Sequence, residues 1–188
     1  VKEYDNRYML LGSENDGFFV ISYDGKVLKR YLKEKESQFG IHSNSIWSIH
    51  SDSSNRIWLG FYDQGLVKFD PIHFKFKFLE NNSRSKTQPF PISVSSIIKD
   101  NNDRIWFSSV DNGVYVYDSF QNEYTHLNDS KNKIANGLNS LDITSLFIDS
   151  QQNIWVASWY DGLYFLRNGT KNFININTNS TPHKLISN

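Results

Sequence analysis

Two stretches of the chain set aromatic rings directly beside a carboxylate, Phe61-Tyr62-Asp63 and Trp159-Tyr160-Asp161, and a third, Val110-Asp111-Asn112, keeps the acid and adds an amide. Such groups suit carbohydrate recognition, in which the C–H face of a sugar stacks on an aromatic plane while its hydroxyls bond to Asp and Asn. The candidate ligand contacts are therefore Phe61, Tyr62, Asp63, Asp111, Trp159, Tyr160 and Asp161, with Trp159, Tyr160 and Phe61 foremost. The same rings could instead pack against a neighbouring sheet, and residue type alone leaves both readings open.

Other chemistries find little support. The five histidines, His42, His50, His73, His126 and His183, show neither the spacing of a metal-binding helix nor that of a catalytic triad, so no metal site is expected. His126→Ala is expected to be nearly silent. Asp100-Asn101-Asn102-Asp103 has the acidic flavour of a calcium loop but lacks its central Gly and distal Glu, so turn capping is the better reading. No nucleophile stands beside a base, and neither a cofactor motif nor a catalytic residue is identified.

Composition narrows the classes further. The 188 residues suit one architecture rather than two full-sized domains. Twenty basic and twenty acidic residues give a formal charge of zero, which removes the bulk attraction that a polynucleotide partner exploits. The absence of cysteine excludes disulfides and thiolate chemistry. No apolar run approaches the roughly 18 residues of a membrane-spanning helix, so any membrane attachment is expected outside this stretch.

The elements that must position the candidate residues follow from an internal repeat. Arg56-Ile57-Trp58-Leu59-Gly60 through Gly65-Leu66-Val67 recurs as Arg104-Ile105-Trp106 through Gly113-Val114-Tyr115, and again as Asn153-Ile154-Trp155 through Gly162-Leu163-Tyr164. A weaker first copy runs from Met9-Leu10 to Gly17-Phe18, with Leu10 in the Trp position. The period of 48 to 49 residues fills the chain with four copies. Copy two reads as strands at Ile46 to His50, Ile57 to Phe61, Leu66 to Phe69 and Phe74 to Leu79. Asp52, Asp100 and Asp149 open Asx-rich turns after the first strand, and Gly17, Gly65, Gly113 and Gly162 mark tight turns that need a positive φ. Four short antiparallel strands on this period specify a β-propeller blade, so the fold class is all-β. Expected blades are 1–40, 41–88, 89–137 and 138–188. Val27 to Phe39 also shows helical spacing, but the repeat makes it an outer strand and a linker.

Repetition separates packing from chemistry. Trp58, Trp106 and Trp155 occupy one position in three copies, as do Ser48, Ser96 and Ser145, which marks both sets as fold elements rather than active-site groups. Strand parity brings the second-to-third-strand loops and the linkers Asn81 to Ile92 and Asn128 to Ser140 to one face, the face of the aromatic and acidic clusters. The truncated first strand and the linker-like end, His183 to Asn188, predict a segment of a larger propeller that self-associates through open strand edges.

The motif Ile46-Trp47-Ser48-Ile49 to Asp70, repeated as Ile143-Thr144-Ser145-Leu146 to Leu166, resembles the two-component regulator propeller repeat. That resemblance implies the extracytoplasmic, periplasmic sensor part of a Bacteroidetes hybrid histidine kinase, responding to glycans and itself without enzymatic activity. An oligosaccharide ligand and a homodimeric partner are the expected partners. The alternative is a propeller scaffold for protein–protein interaction in surface or secretion machinery. A polysaccharide-cleaving propeller would need a convergent acid and base, which the sequence does not offer.

Overall fold

The computed structural model describes residues 1–4, 8–33, 40–52, 55–70, 75–79, 93–129, 131–132, 134–180 and 185. They form four four-stranded antiparallel sheets with no helix, and so no helix long and apolar enough to cross a membrane. The first sheet comprises β1 (Lys2–Tyr4), β2 (Tyr8–Gly12), β3 (Phe18–Ser22) and β4 (Val27–Tyr31). The second holds β5 (Ile46–Ser51), β6 (Ile57–Phe61), β7 (Leu66–Asp70) and β8 (Lys75–Phe78). In the third are β9 (Ser96–Lys99), β10 (Ile105–Ser109), β11 (Gly113–Asp118) and β12 (Glu123–His126). The fourth contains β13 (Ile143–Ile148), β14 (Ile154–Ser158), β15 (Leu163–Leu166) and β16 (Ile174–Ile176). Within each sheet every strand pairs with its neighbour in sequence, the topology of the up-and-down blade that the period predicts. Val27–Tyr31 is a strand, paired with β3, so the helical alternative fails there; residues 34–39 lie outside the described residues.

Two compact units are present. Described residues through Leu79, with Ser93 and Val94, form one, and those from Ser95 onward form the other. The first unit is built on Leu10, Phe18, Ile41, Ile46, Ile57, Leu59, Phe61, Val67 and Phe69. The second is built on Trp106, Val114, Val116, Ile143, Leu146, Val156 and Tyr164, closed by Leu127, Ala135 and Leu138 from the linker between the sheets. All five residues of β6 and of β10 are buried, whereas β4 shows four exposed residues of five. Burial thus falls from the second strand to the outermost, as expected where sheets stack face to face and only their outer edges meet water.

Glycine secures the second-to-third-strand turns. Gly17, Gly65, Gly113 and Gly162 have φ of 85°, 68°, 72° and 75°. At Gly113 a side chain is doubly excluded, because a Cβ would lie 2.0 Å from Asn128 Oδ1 in addition to the strained φ. Two of the recurrent serines bond to backbone beyond their own sheet, each within its own unit. Ser48 Oγ reaches the Val94 carbonyl at 3.5 Å, and the Ser96 hydroxyl accepts from Leu146 N at 3.1 Å while lying 3.4 Å from its carbonyl. Ser145, the third of the set, is exposed.

The linker of residues 128–140 departs from expectation. Its ends do sit on the aromatic face: Asn128 Oδ1 accepts from Val114 N, and Asn128 Nδ2 donates to the Leu138 and Ser140 carbonyls. Its middle runs instead towards the other end of the strands, where Asn136 N donates to the Lys171 carbonyl and Phe173 N donates to Asn136. Burial of Ala135 and Leu138 among the core side chains draws it inward.

Candidate functional site

The second-to-third-strand loops and the chain entering the next sheet meet at one end of the strands. Ile46 N donates to the Ser13 carbonyl at 2.8 Å and Tyr62 N to Ser45 at 3.1 Å in the first unit, and in the second Trp159 N donates to the Asp142 carbonyl at 3.0 Å. A serine organises the turn twice over. Ser13 Oγ accepts from Asp16 N and Ser158 Oγ accepts from Asp161 N, each at 2.8 Å. These bonds fix the loop backbone, and in the fourth sheet they leave Trp159 and Tyr160 exposed.

Trp159 and Tyr160 are 61% and 76% exposed, and Tyr62 is 50% exposed. Asp63 and Asp111 are exposed as well, with Asp111 accepting from Ser109 Oγ. Asp161 is turned inward: its carboxylate accepts from the hydroxyl of buried Tyr164, whose phenol is pushed up to about 12 by burial and then by that carboxylate. Phe61 requires correction. It is fully buried within the core of the first unit, because the last residue of β6 faces inward and only Tyr62 turns out, so it offers no surface to a ligand. Trp47 was not anticipated. It is 42% exposed and lies against Tyr62 with ring centroids 4.7 Å apart. Its signal was in the repeat, where the other copies carry Ser95 and Thr144 at that position.

The opposite end of the strands holds a recurring polar cluster. Asp52 Oδ2 accepts from Arg56 Nε at 2.6 Å and from Trp58 Nε1 at 3.0 Å, while Oδ1 accepts from Arg56 N. Asp100 repeats this arrangement, accepting from Arg104 Nε at 2.7 Å and Trp106 Nε1 at 2.8 Å, and from the amides of Asn102 and Arg104. In the fourth sheet Asn153 replaces the arginine, and Asp149 accepts from Asn153 Nδ2 and Trp155 Nε1, which hold its carboxyl at about 2. Each turn places a residue in the left-handed region, Asn55, Asp103 or Gln152, with φ between 56° and 65°. The Asx reading was right as far as it went. What it missed is that the carboxylate also neutralises the arginine and satisfies the indole of a tryptophan six residues on, so a buried ring keeps no orphan donor. Trp58 and Trp106 are 1% exposed; Trp155 is half-buried against Phe165. Among the described residues no group of His, Asp or Glu could hold a metal ion.

His126, whose replacement by alanine was expected to be nearly silent, is half-buried and makes specific contacts. Its ring stacks on Tyr115 at 4.4 Å and its Nε2 lies 2.9 Å from the Asn112 carbonyl. Burial lowers its pKa from the ordinary value of 6.5.

Comparison with known proteins agrees with this architecture. The family model described as "Two component regulator propeller" matches residues 40–63 and 137–160. No curated protein matches the chain in sequence. Among solved structures, the extracellular domain of a putative hybrid two-component system from B. thetaiotaomicron is similar with a TM-score of 0.68 at 22% identity, over 89% of this chain and 20% of that one. A second such domain from the same organism gives 0.57 at 19% identity, over 93% of this chain and 26% of the other. PorZ, a surface component of the type-IX secretion system of Porphyromonas gingivalis, gives 0.50 at 15% identity, over 100% of this chain and 34% of its own. The chain thus spans a fifth to a third of the length of these structures. With four antiparallel sheets on one period, the chain has the β-propeller fold, and its residues 40–63 and 137–160 match the two-component regulator propeller repeat.

Proposed function

We propose that this chain is part of the extracytoplasmic propeller of a hybrid two-component sensor, located in the periplasm of a Bacteroidetes bacterium, and that it responds to glycans without catalysing a reaction on them. The observation that carries the ligand class is the exposure of Trp159 and Tyr160, two large aromatics left in water on a turn whose backbone is fixed. Isolated exposed hydrophobics are ordinary, but adjacent exposed rings on a fixed turn offer a stacking platform for a sugar face. Tyr62 with Trp47, next to Asp63, repeats the combination in the first unit. The sensor context is supported by the repeat family and by the hybrid two-component domains among the similar structures.

Calorimetric titration of the 188-residue chain with a panel of neutral oligosaccharides tests the ligand class. Saturable binding to at least one of them, weakened tenfold or more by Trp159→Ala, about 1.4 kcal/mol, supports the reading. Failure of every glycan to bind, or binding indifferent to Trp159→Ala and Tyr62→Ala, overturns it.

PorZ supports a second reading, a surface or secretion scaffold, because its similarity extends over the whole chain. The two readings separate on the complete gene product. A membrane span followed by kinase segments supports the sensor, and a surface-sorting domain supports the scaffold.

A further inference from the structure

A cleft of about 450 Å³ opens between the third and fourth sheets, at the opposite end of β14 and β15 from Trp159 and Tyr160. Its floor is apolar, from Ile134, Ile154 and Leu166, and its rim carries Arg104, Arg167 and Lys171 with several amides. Arg104 is neutralised by Asp100 at 2.7 Å. Arg167 and Lys171 are exposed, and no carboxylate among the described residues pairs with either. The cleft therefore holds two uncompensated positive charges in a concave site of ligand size.

Two comparisons within the chain show that this is not simply what the repeat produces. The fifth residue after the turn glycine is Ser22, Asp70, Asp118 and then Arg167, so the fourth copy alone makes this position cationic. The corresponding gap between the first and second sheets, of about 260 Å³, is lined mainly by Tyr4, Tyr8, Leu10, Ile57 and Phe69, with Lys29 the cation among its lining residues. Tyr4, Tyr8 and Leu10 stand where Asp100, Arg104 and Trp106 stand in the third copy, and that gap is largely apolar.

The hairpin that carries the cations is well anchored. Asn168 N donates to Asn153 Oδ1 at 2.9 Å, Asn168 Nδ2 donates to the Gln151 carbonyl, and Thr170 Oγ1 donates to the Arg167 carbonyl at 2.7 Å. The linker fixes its far side through Asn136. Anchoring of this kind lowers the cost of ordering the site on binding.

We propose that this cleft binds a small hydroxylated organic anion, a sugar acid in chemical class, with Arg167 and Lys171 taking the negative group and Asn102, Gln152 and Asn168 bonding its hydroxyls. Arg167 offers a planar fork to a carboxylate, and Lys171 adds a point charge that does not depend on orientation. The apolar floor faces the C–H side of the same molecule. The site is separate from the aromatic platform and does not depend on the glycan assignment made for it.

The test is titration of the isotopically labelled chain with glucuronate, followed by amide chemical shifts, with glucose and inorganic phosphate as comparison probes. The expected result is saturable shifts centred on Asn102, Gln152 and 167–171 for glucuronate alone, weakening as salt is raised. Arg167→Glu and Lys171→Glu should each reduce affinity tenfold or more. Lys26→Glu, in the third-to-fourth-strand turn of the first sheet, should leave it unchanged. Absence of saturable shifts, equal binding of glucose or of phosphate, or an equal loss in Lys26→Glu would overturn the proposal. Both charge reversals lie on exposed side chains, so folding is checked by retention of the Trp106 indole signal.

Discussion

The gap between the first two sheets and the cleft between the last two occupy the same position in the repeat, yet one is closed with tyrosines and leucine and the other with an acid, an arginine and a tryptophan. In the first unit Phe69, which lines the gap, also packs ring against ring with Phe18 and Tyr31 in the core, with centroids 5.4 to 5.8 Å apart. At the matching position of the third sheet Asp100, Arg104 and Trp106 bond to one another, and the cleft keeps Arg167 and Lys171 on its rim. The backbone frame tolerates both because it asks only that the second strand's inward position be large and that no buried donor go unmet. Packing ring against ring and packing around a hydrogen-bonded acid, arginine and tryptophan are alternative ways to fill that position.

The comparison predicts unequal losses on truncation. The largest is expected for Trp106→Ala, about 3 to 5 kcal/mol in urea unfolding, because a fully buried ring is removed and the Asp100 carboxylate loses a donor. Asp100→Ala should follow at about 2 to 3 kcal/mol: three donors and the Arg104 charge lose their acceptor, moderated by the partial exposure of that arginine. At the matching position of the first sheet, Tyr4→Ala should cost less than Asp100→Ala, since it leaves no buried charge behind; a larger loss would mean that the apolar gap is the stronger of the two.

Smaller effects sharpen the contrast between sheets. His126→Ala should cost about 1 kcal/mol through the lost stacking on Tyr115. Its pKa is lowered in the folded state, so the unfolded chain binds the extra proton. The His126 contribution is therefore complete above pH 6.5 and declines as pH falls below it, and a melting-temperature profile that loses this slope in His126→Ala checks the assignment. The smallest effect belongs to Asp149. Its folded value of about 2 against an ordinary 3.8 means that its stabilisation is present above pH 3.8 and fades as pH falls towards 2. Asp149→Asn should flatten that part of the acid-unfolding curve.

Much of this was legible from the chain. The spacing of Trp58, Trp106 and Trp155 fixes a period, and a period fixes the strand order, because each copy must bury the same faces. Gly113 was legible for a local reason, as only glycine enters the turn without strain. Phe61 was misread because it ends a strand whose residues are all buried, and sequence shows alternation poorly where both faces are covered. The Asp100 to Trp106 bond was hidden by distance in sequence: six residues separate an acid from an indole that only the hairpin returns to it. Trp47 and the cations of the cleft share a different cause. Both are departures from the repeat, and a search for regularity passes over the positions where one copy differs.

The linker between the third and fourth sheets has a consequence for how the second unit comes apart. It is bonded to the third sheet at Asn128, to the hairpin of the fourth at Asn136, and is buried between them at Ala135 and Leu138. Separation of the two sheets must therefore strip the linker from both at once, so the last two copies should open as a single cooperative block rather than copy by copy as in a simple nearest-neighbour array. Amide hydrogens of β10 and β14 should then exchange with one common opening free energy.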